Sequence, residues 1–445
     1  MAQTDASMLQ EAYLDRYRPN RFLDFYASIQ NELHLLANPG RIIPVSPVPI
    51  LLDRRYEEVF STLTNLLWRA VGAETFRQRS AAHIPDPLRT VSDRPGPPIP
   101  FDRDRNIGCV DLHLLDGMPR LIEFMVLPPG MVGIYPGLLA RYGEFFEEVL
   151  PGCSPRIFLD GENRESCEAL LQEHIVGSGG VERFAIVDWE PHRQITFGEF
   201  QYVAEGMEKK WGVQGLIADP RELVWKQDRV MLCGLPVDRI LNRLTLVDWL
   251  AHGDLLREYT RIFKEFPQGF VYHPHLWYLG DKASLTLLSD SSLLGEMKIS
   301  DEDRQALAEL VPATVLLPDF LDAKKGLVDV TRLLDRMGGG PGEIVLKPLS
   351  SHASKGVVYG PEDTPTVEKL RAVLRGIDPH EHVAMKLVPP PEIPVPRGSG
   401  ERELWRSDIR LFVLNGRCLF AGGRIYLGNY TNQTPCRAFA PLFFV

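Results

Sequence analysis

A lysine at the end of an apolar run is the most chemically suggestive feature of this sequence. Lys347 follows the apolar residues 344–346 and precedes Pro348 and the small, mostly polar segment 349–356. Such a loop can fold over phosphate groups and present backbone N–H groups to them, and a lysine adds a positive point charge. The alternative is a plain hairpin with a solvent-exposed lysine, and this segment alone favours neither interpretation.

Further polar residues follow one another in order through the last third of the chain. Lys282 opens a predicted helix after Gly280 and Asp281, and a short apolar segment with proline and threonine covers 310–314. Two strand-like segments, 409–414 and 417–426, are joined by Asn415-Gly416, a pair that favours a tight hairpin turn. The members of the series after the loop are Met385, Lys386, Val388, Asp408, Arg410, Arg424 and Asn432.

This ordered series resembles the ATP-grasp superfamily, and within it the glutathione synthetase-like carboxylate–amine ligases. That family has a lysine before a helix, a strand ending in Lys-Pro with a glycine-rich loop, a hinge strand, an Asp-x-Arg strand, an arginine strand and an asparagine. The resemblance covers about residues 271–445. It implies an ATP-dependent ligase that forms an amide through an acyl phosphate, with small-molecule carboxylate and amine substrates such as amino acids or peptides.

The resemblance also implies a role for each matching residue. Arg410 and Arg424, together with Lys347, would stabilise the transferring phosphoryl charge. ATP phosphates would be held by Lys282, Lys347 and the loop residues Ser350, Ser351, Ser354, Lys355 and Gly356. The adenine would lie at a hinge formed by Met385, Lys386 and Val388. Mg²⁺ would be bound by the oxygen atoms of Asp408 and Asn432, with Asn429 as a further ligand.

Two departures from the family pattern define the alternatives. Tyr430 stands where the family has a glutamate ahead of its metal-binding asparagine, and serine, histidine and alanine replace the glycines of the loop. One alternative is therefore a catalytically weakened nucleotide-binding or regulatory protein. Another is a phosphotransferase that passes the γ-phosphate to a hydroxyl group. The sequence contains no Walker A motif and no strand-borne G-x-G-x-x-G, which argues against P-loop and Rossmann sites, and no G-x-S-x-G elbow for a serine nucleophile.

The N-terminal part contains weaker signals. Residues 121–124, followed by Pro128-Pro129, and residues 234–243 resemble strand ends found in glutathionylspermidine synthetase-like proteins. Glu123, Asn242 and Arg243 are therefore candidate substrate-binding residues, with Arg243 suited to a substrate carboxylate. The alternative is that these are strand-end and capping residues.

The elements that must position these residues indicate an α/β protein. Strand and helix patterns alternate after a predicted hairpin, 110–114 and 121–126, with the turn Asp116-Gly117. We predict an N-terminal helical segment at 1–82, an α/β pre-ATP-grasp substrate domain at 83–270 and an ATP-grasp domain at 271–445. The last would contain a lid subdomain at about 290–388 and a C-terminal lobe at about 389–445.

Bulk composition narrows the class of partner. The 445 residues carry a formal net charge of −10, which argues against nucleic acid as the main ligand. The six cysteines include no Cys-x-x-Cys pair, and no run of eighteen apolar residues exists. We therefore expect a soluble cytoplasmic protein with no membrane partner. The sequence leaves the quaternary structure open, a homodimer being one option.

Overall fold

The computed structural model describes residues 6–35, 43–82, 106–177, 179–271, 274–297, 299–349, 351, 355–397, 401–429 and 437–445. The chain contains both helices and strands along its length, which confirms a mixed α/β class. The helices are α1 Ala6–Arg16, α2 Pro19–Glu32, α3 Arg55–Gly72, α4 Glu74–Ala81, α5 Tyr135–Val149, α6 Arg164–Val176, α7 Phe197–Trp211, α8 Leu246–His252, α9 Arg257–Glu265, α10 Lys282–Leu288, α11 Ser291–Glu296, α12 Asp301–Leu310, α13 Val330–Met337, α14 Gly360–Asp363 and α15 Val367–Gly376.

The strands fall into a central sheet and several smaller ones. They are β1 Ile50–Leu52, β2 Ile107–Leu115, β3 Met118–Met125, β4 Arg183–Val187, β5 Gln214–Ala218, β6 Leu223–Lys226, β7 Arg229–Leu232, β8 Leu235–Val237, β9 Arg239–Asn242, β10 Thr314–Leu316, β11 Leu321–Asp322, β12 Leu327–Val328, β13 Ile344–Pro348, β14 Val358–Tyr359, β15 His382–Lys386, β16 Glu392–Pro396, β17 Arg402–Leu414, β18 Arg417–Tyr426 and β19 Arg437–Phe444.

The central sheet combines strands from both ends of the chain. Its order is β1-β19-β18-β17-β2-β3, with β16 also paired to β17. The two predicted hairpins are confirmed within it, and their turns at Asp116-Gly117 and Asn415-Gly416 have positive φ at both residues. This sheet extends across both predicted boundaries, near 82 and 270. Strand β1 precedes the first boundary, β2 and β3 lie between the two, and β16–β19 follow the second.

The two faces of the central sheet are covered differently. Leu112 and Leu411 lie on a face that packs against α3 through residues such as Phe60. On the opposite face, Phe412 packs against Tyr135 of α5, with ring centroids 5.0 Å apart. Because side chains two positions apart share a face, the residues before Phe412 on that side extend beyond this apolar cover. Those residues are Asp408 and Arg410.

Two smaller sheets flank this arrangement. One of them, the small sheet, is antiparallel with the order β10-β15-β13-β14 and packs on α13 and α15. A parallel sheet of order β5-β4-β9 has Phe184 and Ile186 of β4 buried with α7, whereas Ala185 and Val187 are buried with α9. Among the described residues, no helix combines the length and the apolar character needed to cross a bilayer.

Candidate functional site

Charged side chains occupy one face of the central sheet in two rows of cross-strand neighbours. In one row, Glu123 of β3, Asp111 of β2 and Arg410 of β17 follow one another across the sheet. In the next row, Asp408 of β17 pairs with Arg424 of β18. The sheet therefore brings together residues from sequence segments that lie about three hundred positions apart.

Asp111 is the buried centre of these rows. Its Oδ1 accepts a hydrogen bond from Arg410 Nε at 2.7 Å, and its Oδ2 accepts one from Arg410 Nη2 at 2.6 Å. Arg424 Nη2 donates a third bond to Oδ2 at 2.8 Å. Burial alone would raise the pKa of Asp111, but the two guanidinium groups outweigh it and lower that pKa to about 2. The carboxylate is therefore ionised at any physiological pH.

Asp408 forms a second buried pair with Arg424. Arg424 donates Nε to Oδ1 at 2.8 Å and Nη2 to Oδ2 at 2.9 Å, and the Asp408 side chain is fully buried. Both predicted phosphoryl-stabilising arginines are thus held by carboxylates on the neighbouring strands. The predicted metal ligand Asp408 faces an arginine in this structure.

The two predicted phosphate-binding lysines meet at β3. Lys282, at the start of α10, donates Nζ to the Ser351 carbonyl at 2.5 Å and lies 3.3 Å from Glu123 Oε1. Lys347, on β13, donates Nζ to the Ile122 carbonyl at 2.8 Å. The adjacent residues Ile122 and Glu123 therefore sit beside both lysines. The central sheet, the small sheet and α10 therefore meet at Ile122 and Glu123.

The electrostatic environment of these groups follows from their crowding. Burial lowers the pKa of Lys347 to about 8, although the nearby Glu123 carboxylate acts to raise it. The ammonium group is therefore still mainly protonated at neutral pH. For Glu123, burial would raise the pKa, but Lys282 and other cations outweigh it and lower that pKa. Burial raises the pKa of the neighbouring Asp281 to about 6, and its Oδ1 has no hydrogen-bond partner among the described residues.

His113 belongs to the same face and was not found from the sequence. Its Nδ1 lies 2.8 Å from the Val388 carbonyl, which can only accept, so the proton is on Nδ1. Its Nε2 is buried without a partner among the described residues, and burial lowers the pKa of the ring. Asp111 and His113, two apart in an otherwise apolar strand, were the signal that sequence reasoning passed over.

The predicted hinge residues do not all face the cluster. The Met385 side chain is buried, with Sδ 3.3 Å from Lys347 Nζ, and Val388 contacts His113 through its carbonyl. The Lys386 side chain instead points to the segment between α13 and β13, donating Nζ to the Gly338 carbonyl at 3.1 Å and to Glu343 at 3.3 Å. Lys386 thus supports that segment, whereas Met385 and Val388 border the charged residues.

Only part of the predicted phosphate loop lies within the described residues. Ser351 is placed against Lys282 through its carbonyl. Gly356 has φ of +71°, and a side chain there would meet Pro348 at 2.9 Å, so glycine suits this turn back toward β13. Lys355 is exposed beside it. Ser350 and Ser354 lie outside the described residues.

The described residues do not assemble the predicted metal site. No group of three or more histidine, cysteine, aspartate or glutamate side chains within them is arranged to hold an ion. Asn429 hydrogen-bonds Arg406 and Glu362, not Asp408. Asn432 and Tyr430 lie outside the described residues. The oxygen atoms of Asp408 are already engaged by Arg424, so the groups present do not fit Mg²⁺ by themselves.

The candidate substrate residues of the parallel sheet have different surroundings. Arg243 follows β9 and donates Nη1 to the carbonyls of Pro128 and Pro129, at 2.7 and 3.4 Å. It therefore holds the segment that leads away from β3 and Glu123. Asn242 is buried, accepts from Tyr259 Oη at 2.8 Å and donates to the Leu244 carbonyl at 3.0 Å. Both ends of its amide serve the protein core, which favours a structural role.

Comparison with known proteins gives a fold and no family. No family model matches the chain, and no curated protein matches it. Among solved structures, a glutathione synthetase-like effector from Globodera pallida is similar at 11% identity, over 99% of this chain and 98% of that one, with a TM-score of 0.57. A protein assigned as a gamma-glutamylcysteine synthetase from Methylobacillus flagellatus aligns over 87% of this chain and 86% of that one at 11% identity, with a TM-score of 0.41.

The first of these similarities extends over essentially the whole of both chains. It shows that the chain shares the overall fold of a glutathione synthetase-like protein. At that identity it carries no residue assignments, so the roles of individual side chains depend on the geometry described above.

Proposed function

We propose that the protein is an ATP-dependent ligase that joins a carboxylate to an amine. The observation that carries this proposal is the convergence of Lys282 and Lys347 with Arg410 and Arg424 at the polar face of the central sheet. Cations brought from separate elements to one place suit a polyanion such as a nucleotide triphosphate. The fold shared with a glutathione synthetase-like protein supports the same class.

The lysines would bind the phosphates of ATP. In the structure Lys347 donates to the neutral carbonyl of Ile122, and Lys282 donates to the carbonyl of Ser351 while pairing with Glu123. A phosphate oxygen is a stronger partner because a charged acceptor roughly doubles the strength of such a bond. We expect binding to exchange these internal contacts for phosphate contacts, with the adenine beside Met385 and Val388.

The arginines would stabilise charge during transfer. The substrate carboxylate would attack the γ-phosphate to give an acyl phosphate and ADP, and an amine would then displace phosphate. Such chemistry depends on positioning and charge neutralisation and needs no side-chain nucleophile. Arg410 and Arg424 are held rigidly by Asp111 and Asp408, so they cost little reorganisation when charge develops.

The acid and the amine would be selected by residues from the N-terminal part of the chain that lie near the charged cluster. Glu123 lies beside Lys282 and is partly exposed, and its charge suits an amine or ammonium group. Arg243 shapes the segment after β3 and has its Nε buried without a partner among the described residues. Amino acids and peptides are the substrate class that this pair of charges favours.

Dependence on Mg²⁺ remains a separate prediction. A hard cation needs several oxygen ligands, and the carboxylates of Asp111, Asp408 and Glu123 are already paired with arginine or lysine. We therefore assign no step to the metal.

One alternative is supported by a specific observation. The pairing of Asp408 with Arg424 leaves the predicted metal ligand occupied, which is what a nucleotide-binding protein without turnover would tolerate. That protein would bind ATP through the lysines and release no ADP.

Screening for ADP release tests the proposal. The wild-type chain would be supplied with ATP, Mg²⁺ and panels of amino acids, dipeptides and polyamines, and products identified by mass spectrometry. A new amide formed with ADP supports ligation, and Lys386→Ala, which alters a lysine pointing away from the cluster, should behave as wild type. ATP binding without ADP would favour the non-catalytic alternative, and a stable phosphoester would favour a phosphotransferase.

A further inference from the structure

Asp111 forms hydrogen bonds with both functional arginines at once. Arg410 uses its Nε and Nη2 edge to contact the two oxygen atoms of Asp111, and Arg424 Nη2 contacts Oδ2. The fork of a guanidinium group is planar, so fixing the Nε–Nη2 edge also fixes the direction of Nη1 on the opposite edge. None of these bonds uses Nη1 of Arg410 or Arg424.

We propose that Asp111 is a positioning residue, which orients Arg410 and Arg424 so that their Nη1 groups face the transferring phosphoryl group. The ligand in this statement rests on the proposed function, whereas the orientation rests on the structure alone. Asp111 would touch no substrate and would act only through the two arginines.

The arrangement of bonds makes Asp111 the link between the arginines. Arg424 is held by Asp408 through Nε and Nη2, but among the described residues Arg410 has that bidentate contact only with Asp111. The shared oxygen Oδ2 therefore couples the position of one guanidinium to the other. Loss of the carboxylate should release Arg410 more than Arg424.

The fold does not need this ion pair to align its strands. β2, β17 and β18 are already joined by continuous backbone pairing, with Arg410 opposite Asp111 and Asp408 opposite Arg424. Well-packed apolar residues often stabilise such buried positions at least as well as ion pairs do. Two buried acids paired with two arginines on the polar part of this face are therefore better explained by control of side-chain direction.

The first test is a double-mutant cycle on the full chain. Asp111→Asn keeps the side-chain volume but places an N–H donor against a guanidinium group. We expect it to lower kcat by about 100-fold, with the KM for ATP changed less than about threefold, as when one oriented donor is lost. Asp111→Asn combined with Arg410→Lys should be only slightly slower than Arg410→Lys alone, because Arg424 keeps its contacts with Asp408. Independent, multiplying losses would overturn the proposal, as would an Asp111→Asn enzyme with normal kcat.

The matched control is Asp219→Asn. Asp219 forms the same bidentate contact with Arg221, at 2.7 Å for both bonds, next to the parallel sheet. If its kcat is unchanged although its melting temperature falls, loss of stability alone does not slow the reaction. An equal loss of kcat in both variants would overturn a specific role for Asp111.

A spectroscopic test does not depend on turnover. The Nε–H signals of Arg410 and Arg424 should both be protected from solvent exchange in the wild-type protein. In Asp111→Asn the Arg410 signal should lose protection, whereas the Arg424 signal should keep it through Asp408. If no substrate supports turnover, the proposed function fails. The Nε–H signals and the affinity for inorganic pyrophosphate need no turnover, so they still decide the positioning role of Asp111. An unchanged Arg410 signal would overturn it.

Discussion

Arg410 donates hydrogen bonds at 2.7 and 2.6 Å to the two carboxylate oxygens of Asp111, a residue 299 positions earlier in the chain. The two residues are direct neighbours because β2 pairs with β17 in the central sheet. The same sheet places Asp408 and Arg424 alongside them. A cluster of opposite charges is thereby buried where the apolar cover of α5 ends.

The pH dependence of stability should report the Asp111 contacts. Its folded pKa of about 2 lies below the ordinary value of 3.8, so the stabilisation is present above pH 4 and is lost as pH falls through 2. Breaking a buried pair of this kind costs about 3–5 kcal/mol. We expect Asp111→Asn to lower the free energy of unfolding by that order at pH 7 in urea titrations.

The difference from wild type should shrink at low pH. Paired titrations at pH 7 and pH 3 check this, since at pH 3 the unfolded chain carries a proton on Asp111 that folding must release, which offsets part of the stabilisation. A difference that stays constant across this range would contradict the assigned ionisation.

Substitution of Lys347 should abolish ATP binding. Lys347→Met keeps an unbranched side chain beside Met385 and removes the charge that lies next to Glu123. We expect at least a 100-fold loss of ATP affinity by calorimetry with the fold retained. Lys386→Met is the control, because that lysine contacts Gly338 and Glu343 instead. Unchanged affinity in Lys347→Met would contradict the assignment of the phosphate site.

The same lysine predicts a pH dependence of binding. Its pKa in the free protein is about 8, so above pH 8 the side chain must take up a proton before it can hold a phosphate. ATP affinity should therefore fall as pH rises above 8, approaching a tenfold loss per pH unit. Calorimetry in buffers of different ionisation enthalpy should also show proton uptake at pH 9. Affinity that is flat from pH 7 to 9.5 would argue against a lysine with this pKa at the site.

Asp281→Asn should stabilise the protein at neutral pH. Burial raises the pKa of Asp281 from 3.8 to about 6, so the ionised form is disfavoured in the folded state above pH 6, by about 3 kcal/mol. That cost fades as pH falls below 6 and is mostly gone at pH 4, close to the ordinary value of 3.8 at which the carboxyl of the unfolded chain also takes up a proton. The melting temperature of Asp281→Asn should exceed that of wild type at pH 7.5 and approach it at pH 4.

The control for this effect is Asp290→Asn. Asp290 also precedes a helix, where its Oδ1 accepts from the backbone of Ser292 and Leu293, but it is exposed. Its substitution should not raise the melting temperature. If Asp281→Asn is less stable than wild type at pH 7.5, the side chain has a partner that offsets its burial.

Asp408→Asn should remove turnover and also lower stability. Arg424 would lose one of its two carboxylate partners while remaining buried. The rate of ADP release and the midpoint of urea unfolding would be measured together.

Asn429→Ala should leave the Mg²⁺ concentration for half-maximal rate unchanged, since Asn429 contacts Arg406 and Glu362. A large shift in that concentration would restore Asn429 as a metal ligand.

The sequence by itself determined the local features. The pairs Asp116-Gly117 and Asn415-Gly416 specify tight turns through their backbone preferences, so both hairpins could be predicted. The order of Lys282, Lys347, Asp408, Arg410 and Arg424 indicated a shared site, because each stands at the start or within a recognisable element. These signals depend on neighbours within a few residues, which is the range over which sequence patterns are informative.

Only the tertiary structure decided which of these charges meet and what each contacts. Pairing of β2 with β17 is non-local, and nothing in either strand's pattern names its partner. That pairing placed Asp111 beside Arg410 and Arg424, whereas the Asn242 side chain is buried in the core and that of Lys386 contacts Gly338 and Glu343. Residue type fixes the chemistry that a side chain is capable of, but its direction follows from strand register, and register is set by packing across the whole sheet.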